Sequence, residues 1–117
     1  MISSSERDIQ IIKKILIYCK EVDMAIVRFG TTYEEFISDF AFFNSVSMSE
    51  MQIGELVKGL SGEFLEQHDN IPWHEIRSMR NWFAHSYRKM NKEFIWNVAT
   101  MDIPALRKFC ESVLNSQ

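Results

Sequence analysis

Glycine and proline are scarce in this sequence, with four of one and two of the other among 117 residues. So little turn material, with strand patterning essentially missing, argues against a turn-rich β protein. No apolar stretch approaches the roughly 20 residues of a membrane span. The opening MISSSERD lacks a basic segment followed by an apolar run, so no signal peptide is expected. Cysteine occurs twice, as Cys19 and Cys110, in different expected helices and at no ligand-like spacing. That pattern points to buried small hydrophobes in a reducing cytoplasm rather than a disulfide. Net positive charge is also lacking, because 16 acids against 13 bases leave −3. The molecule as a whole has no general attraction for nucleic acid, and any polyanion site must be local.

What remains is a chain of one-domain length with an ordinary apolar fraction and many aromatics, expected to fold as a single domain over residues 1–117. The fold expected is all-α, an up-and-down bundle of four main helices with short extra helices. Ser5-x-x-Asp8 reads as a capping-box variant opening a first helix. Ile9, Ile12, Leu16, Cys19, Val22, Ile26 and Phe29 follow at helical spacing, and Gly30 stops it. Thr32-x-x-Glu35 caps a short helix over 33–38. A longer segment is expected from about Phe40 to Gln67, with Phe43, Val46, Ile53, Val57, Leu60 and Phe64 inward. Its Gly54, Gly59 and Gly62 suggest close helix packing. Pro72 is placed to begin a helix reaching about Met90. Residues 91–99 form a short helix, and Pro104 opens the last one, with Leu106, Phe109, Cys110, Val113 and Leu114 inward.

One stretch departs from the acidic average. From Arg77 to Lys92 there are five Lys/Arg residues and no Asp or Glu. On a helical wheel at about 100° per residue, Arg77, Arg80, Asn81, His85, Tyr87 and Arg88 share one arc around Ala84. Ile76, Met79, Trp82, Phe83 and Met90 take the opposite one. A basic face is usually solvated surface, but three details favour a site. Acids that would give i,i+4 support are missing. Asn81 is a poor helix-interior residue with no cap to make. Ala84 leaves a notch where a long polar side chain would be the ordinary surface choice.

Arginines can fork onto phosphate oxygens, and a neutral-pH imidazole can move a proton. His68, His74 and His85 are not spaced as metal ligands, and no carboxylate pair accompanies them. His68 reads as a surface residue and His74 as a helix-start residue. Arginine with histidine and no metal points to RNA cleavage by attack of the ribose 2′-hydroxyl on its own phosphate, leaving a 2′,3′-cyclic phosphate. A single suitable histidine per chain, and the roughly 140° between Arg80 and His85 on an ideal helix, suggest a homodimer that brings two such helices together.

Arg80-Asn81-x-x-Ala84-His85-x-Tyr87 resembles the Arg-x4-His-x-Tyr signature of HepT-like proteins of the HEPN superfamily of helical ribonucleases. The likeness extends to QIGELVKGLS at 52–61, IPWHEIRSMRN at 71–81 and IW at 95–96, and so over nearly the whole chain from about Glu6 to Leu114. The resemblance implies an endoribonuclease toxin of a type VII toxin–antitoxin pair. Arg80 and His85 would be catalytic, Asn81 supporting, and the two motifs would face each other in a dimer. It also implies a nucleotidyltransferase antitoxin that transfers AMP to Tyr87. The ATP and Mg²⁺ would then be used by that partner, and this chain would need no cofactor. Arg77, Arg88, Lys89 and Lys92 would guide the RNA backbone. Ser86 and Asn91 depart from the family pattern by replacing common acids, which bears on partner recognition. The alternative reading is a non-catalytic helical adaptor that docks a nucleotidyltransferase or binds a nucleotide.

Overall fold

The computed structural model describes residues 3–86 and 91–117, and for residues 82–86 the backbone alone. The described residues form helices and no strand. The order is α1 (Ser4–Phe29), α2 (Tyr33–Ser38), α3 (Phe40–Val57), α4 (Gly62–Gln67), α5 (Trp73–Ser86), α6 (Lys92–Asn97) and α7 (Ile103–Asn115). Four long helices, α1, α3, α5 and α7, make the bundle, with α3 packed on both α1 and α5, and α1 also on α7. The expected all-α bundle is what is observed. Among the described residues no helix is long and apolar enough to cross a membrane.

The apolar stripe of α1 buries Ile12, Ile15, Cys19, Val22 and Ala25, while Ile9, Leu16, Ile26 and Phe29 pack half-buried beside them. Its start differs from the expected capping box. Ser3 is the cap, accepting from the Glu6 N–H at 3.2 Å. Asp8 is unavailable for capping because it is buried and committed elsewhere: the Ser61 N–H and hydroxyl donate to its carboxylate at 2.8 and 2.6 Å. Gly30 ends α1 with φ +146°, a conformation side chains rarely adopt, and a Cβ there would strike the Glu35 carboxylate. Thr32 caps α2 as expected, accepting from the Glu35 N–H at 3.2 Å.

The long helix expected over 40–67 is instead two helices. The chain turns at residues 58–61, and Ser61 caps α4 by accepting from the Phe64 N–H at 3.1 Å. The Asp8 pairing pins this break, a contact between residues 53 positions apart that local pattern does not reveal. The expected inward residues Phe43, Val46, Ile53, Val57, Leu60 and Phe64 are all buried. Of the three glycines, only Gly54 marks a close helix approach. A Cβ there would lie 2.9 Å from the Arg80 nitrogen and the Ile76 carbonyl oxygen of α5, whereas Gly59 lies in the turn near Ile11 and Gly62 faces open space.

Asn91 caps α6, accepting from the Phe94 N–H at 3.0 Å. From α6 the chain continues without a break through a π-helical turn, Val98–Asp102, into α7. Pro104 therefore sits within a longer helical run. A turn widened just before it, with the Ile103 N–H reaching the Val98 carbonyl, accommodates the proline ring and its missing donor. On α7 the inward set is as expected: Leu106, Cys110 and Val113 are buried, with Phe109 and Leu114 half-buried. Both cysteines are free and buried. Burial pushes both thiols far up, Cys110 to about 12, so neither is a reactive thiolate.

One core residue is unexpected. Glu50 of α3 is fully buried, and among the described residues neither carboxylate oxygen has a hydrogen-bond partner, nor does the Ser47 hydroxyl one turn earlier. Burial, reinforced by the negative charge of Asp102, holds Glu50 well above the usual carboxylate range and favours its protonated form.

Two predictions follow from this packing. Glu50→Met removes the unpaired carboxyl at nearly constant length and should raise stability by about 1–3 kcal/mol at pH 7, measured by thermal or urea unfolding. Because the folded state takes up a proton above the unfolded Glu pKa, the wild type loses stability as pH rises past about 4.5. The advantage of the variant should therefore shrink on acidification towards that value; an advantage independent of pH would contradict the assignment. Gly54→Ala should destabilise by about 1–3 kcal/mol, because its Cβ meets backbone that must move. Gly62→Ala, facing open space, should be neutral or stabilising by up to ~1 kcal/mol.

Candidate active site

The candidate site grows from the contact of α3 with α5. The apolar face of α5 is anchored by Trp73, Ile76 and Met79, all buried. The Trp73 indole N–H donates to the His68 carbonyl at 2.8 Å, fixing the entry into the helix. His68 itself is no plain surface residue. Its ring packs at 4.5 Å from Phe64 and 5.1 Å from Phe109, centroid to centroid, within the aromatic cluster that also receives Trp73. His74, by contrast, is exposed in the first turn of α5, as expected.

With its inner face held, α5 turns Arg77, Arg80 and Asn81 outward. Arg77 and Asn81 are exposed, and Arg80 is half-buried. The Arg80 guanidinium is already engaged. Its Nε lies 2.8 Å from Oε2 of Glu55 on α3, and its Nη1 donates to Oδ1 of Asn81 at 3.5 Å. Arg80 and Asn81, neighbours in sequence, are thus also in contact through their side chains. His85 lies on the same helix, five residues after Arg80, and its side chain is outside the described residues. Tyr87, Arg88 and Lys89 also lie outside them. Lys92 is exposed at the start of α6, its ammonium 5.1 Å from the centre of the Phe43 ring, a cation–π contact that fixes its stem while leaving its charge at the surface.

Glu55 is the site residue that sequence reasoning missed. The basic stretch was notable for lacking acids, and its acid arrives from a neighbouring helix. The available signal was position: Glu55 directly follows Gly54, where α5 approaches most closely. A second carboxylate oxygen of Glu55 lies 3.9 Å from Lys58, so the charges run Lys58, Glu55, Arg80 across the two helices. Chemically, a guanidinium with its stem-side Nε occupied keeps terminal N–H groups free to bind a phosphate.

Comparison with known proteins places the chain in a family. The family model described as "Ribonuclease HepT-like" matches residues 6–113. "Putative RNase TTE0752" of Caldanaerobacter subterraneus subsp. tengcongensis is 35% identical over 88 residues, covering 75% of this chain and 79% of that protein. "Putative RNase MJ0127" of Methanocaldococcus jannaschii is 30% identical over 83 residues, 71% of this chain and 69% of its own length. "Probable ribonuclease HepT" of Thermococcus cleftensis is 31% identical over 75 residues, 64% and 68% of the two chains. No solved structure matches. Through a family match that spans nearly its whole length, the chain belongs to the HepT-like ribonuclease family.

Proposed function

We propose that this protein is a metal-independent endoribonuclease whose reaction is carried by the outer face of α5. The observation that supports it best is the half-exposed Arg80, paired with Asn81 and five residues ahead of His85, in a chain of a ribonuclease family. Arg80 binds the scissile phosphate and stabilises the charge that builds on it. His85 moves the proton of the attacking 2′-hydroxyl or of the departing 5′-oxygen. Asn81 orients the phosphate by hydrogen bonding. The 2′-hydroxyl displaces the 5′-oxygen of the next nucleotide, giving a 2′,3′-cyclic phosphate and a 5′-hydroxyl end. One imidazole cannot serve as base and acid at once, so a homodimer pairs two α5 helices across a shared cleft, each contributing one His85. Arg77, Arg88, Lys89 and Lys92 steer the RNA backbone and make binding salt-sensitive.

The control of this activity is proposed to act through Tyr87, two residues after His85 in the sequence. A nucleotidyltransferase partner, using its own ATP and Mg²⁺, transfers AMP to Tyr87, and the added phosphate and base occupy the cationic face meant for RNA. The protein then acts as the toxin of a type VII toxin–antitoxin pair in the cytoplasm.

Two predictions test this reading. His85→Ala and Arg80→Ala should each lower RNA cleavage by at least about 100-fold while leaving the helical circular dichroism spectrum unchanged. Wild-type cleavage should persist in EDTA and leave cyclic-phosphate ends, read by end-mapping. Equal growth inhibition by wild type and His85→Ala would instead support the non-catalytic adaptor. Incubation with the partner and ATP should add AMP to the wild type, by intact mass, and not to Tyr87→Phe. The same mass gain in Tyr87→Phe would move the modification to another residue.

A further inference from the structure

We infer that Glu55 is a positioning residue for Arg80, holding the guanidinium in the orientation that presents its terminal N–H groups to a phosphate. The inference deepens the ribonuclease reading and rests on it for its kinetic part.

Three observations meet at this point. Gly54 lacks the Cβ that would collide with the α5 backbone at Arg80 and Ile76, so the two helices approach closely at this level. The next residue, Glu55, is carried by that approach to within 2.8 Å of Arg80 Nε. The guanidinium is then held at a second point, where Nη1 meets Asn81 Oδ1 at 3.5 Å. Two contacts on different atoms of a planar group restrict both its position and its plane. Nη2 and the second N–H of Nη1 are left for an incoming oxyanion.

The location of the carboxylate matters. Bound across the two terminal nitrogens, Glu55 would compete with phosphate for the same fork. Bound at Nε, it supports the arginine from the stem side. The side chains of Arg80 and Glu55 are 42% and 50% exposed, so the pair contributes little to folding. Its effect is on orientation, and a misplacement of about 1 Å at a reacting centre can cost ~100-fold in rate.

The test uses the full-length protein and Glu55→Gln and Glu55→Ala, each checked for an unchanged melting temperature. On an RNA oligonucleotide, kcat should fall roughly 10-fold for Glu55→Ala and less for Glu55→Gln, whose amide oxygen still accepts a hydrogen bond. KM should change less than kcat, because losing the Glu55 charge favours anion binding while losing the orientation of Arg80 opposes it. In parallel, the Arg80 Nε–H resonance, assigned with Arg80→Lys, should be distinct and slow to exchange in the wild type and should collapse to the solvent-exposed position in Glu55→Ala. Unchanged or raised kcat in both variants would overturn the inference, as would an Nε–H signal insensitive to Glu55. Wild-type protein that fails to cut RNA would count against the ribonuclease reading instead, and the resonance would still decide whether Glu55 holds Arg80.

Discussion

The contact of α3 with α5 at Gly54 is the constraint on which the candidate site depends. Helices normally stand apart by the width of their side chains, and removing one Cβ at the crossing lets backbone approach backbone. Here the α5 groups brought close are the Ile76 carbonyl and the Arg80 amide, one turn apart on the site helix. The buried anchors Trp73, Ile76 and Met79 hold the same helix from below. The outer face of α5 therefore inherits its position from a packed interior, which is how a surface arginine can be placed with more precision than its own exposure would suggest.

Charge follows from the same geometry. The part of α5 from Arg77 onward holds bases and no acids, so it lacks the usual i,i+4 support. In the folded chain, Glu55 answers Arg80 across the helix pair, and Lys58 answers Glu55 in turn. The charge of Arg80 is thereby balanced from the neighbouring helix, while the acid of α5 itself, Glu75, stands in the first turn, ahead of Arg77. A basic helix face with its counter-charge on the neighbour can be both stably packed and attractive to a polyanion.

Much of this architecture was legible because it is local. Helical spacing found the inward faces of α1, α3 and α7, and Thr32 and Pro72 marked helix starts where they were expected. The signature residues on α5 could be named from their arc and their family likeness. What escaped was long-range. Asp8 looked like a cap because it stands three residues after Ser5, yet its carboxylate is spent on Ser61, the cap of α4, and that contact holds the break between α3 and α4. Pro104 does stand in the first turn of α7 as expected, but the π turn that joins α7 to α6 without a break was not foreseen. Glu55 carried no motif of its own; only the folded pairing of α3 and α5 shows what it faces.

Two glutamates five residues apart on α3 show how burial divides the work of one functional group. Glu50 points into the core, unpaired, and desolvation favours its neutral form. Glu55 is half in solvent, where an ionised carboxylate is retained at little cost, and it meets a guanidinium at hydrogen-bond distance. The helix that shapes the site by missing a Cβ thus also supplies, one residue on, the charge that meets the arginine.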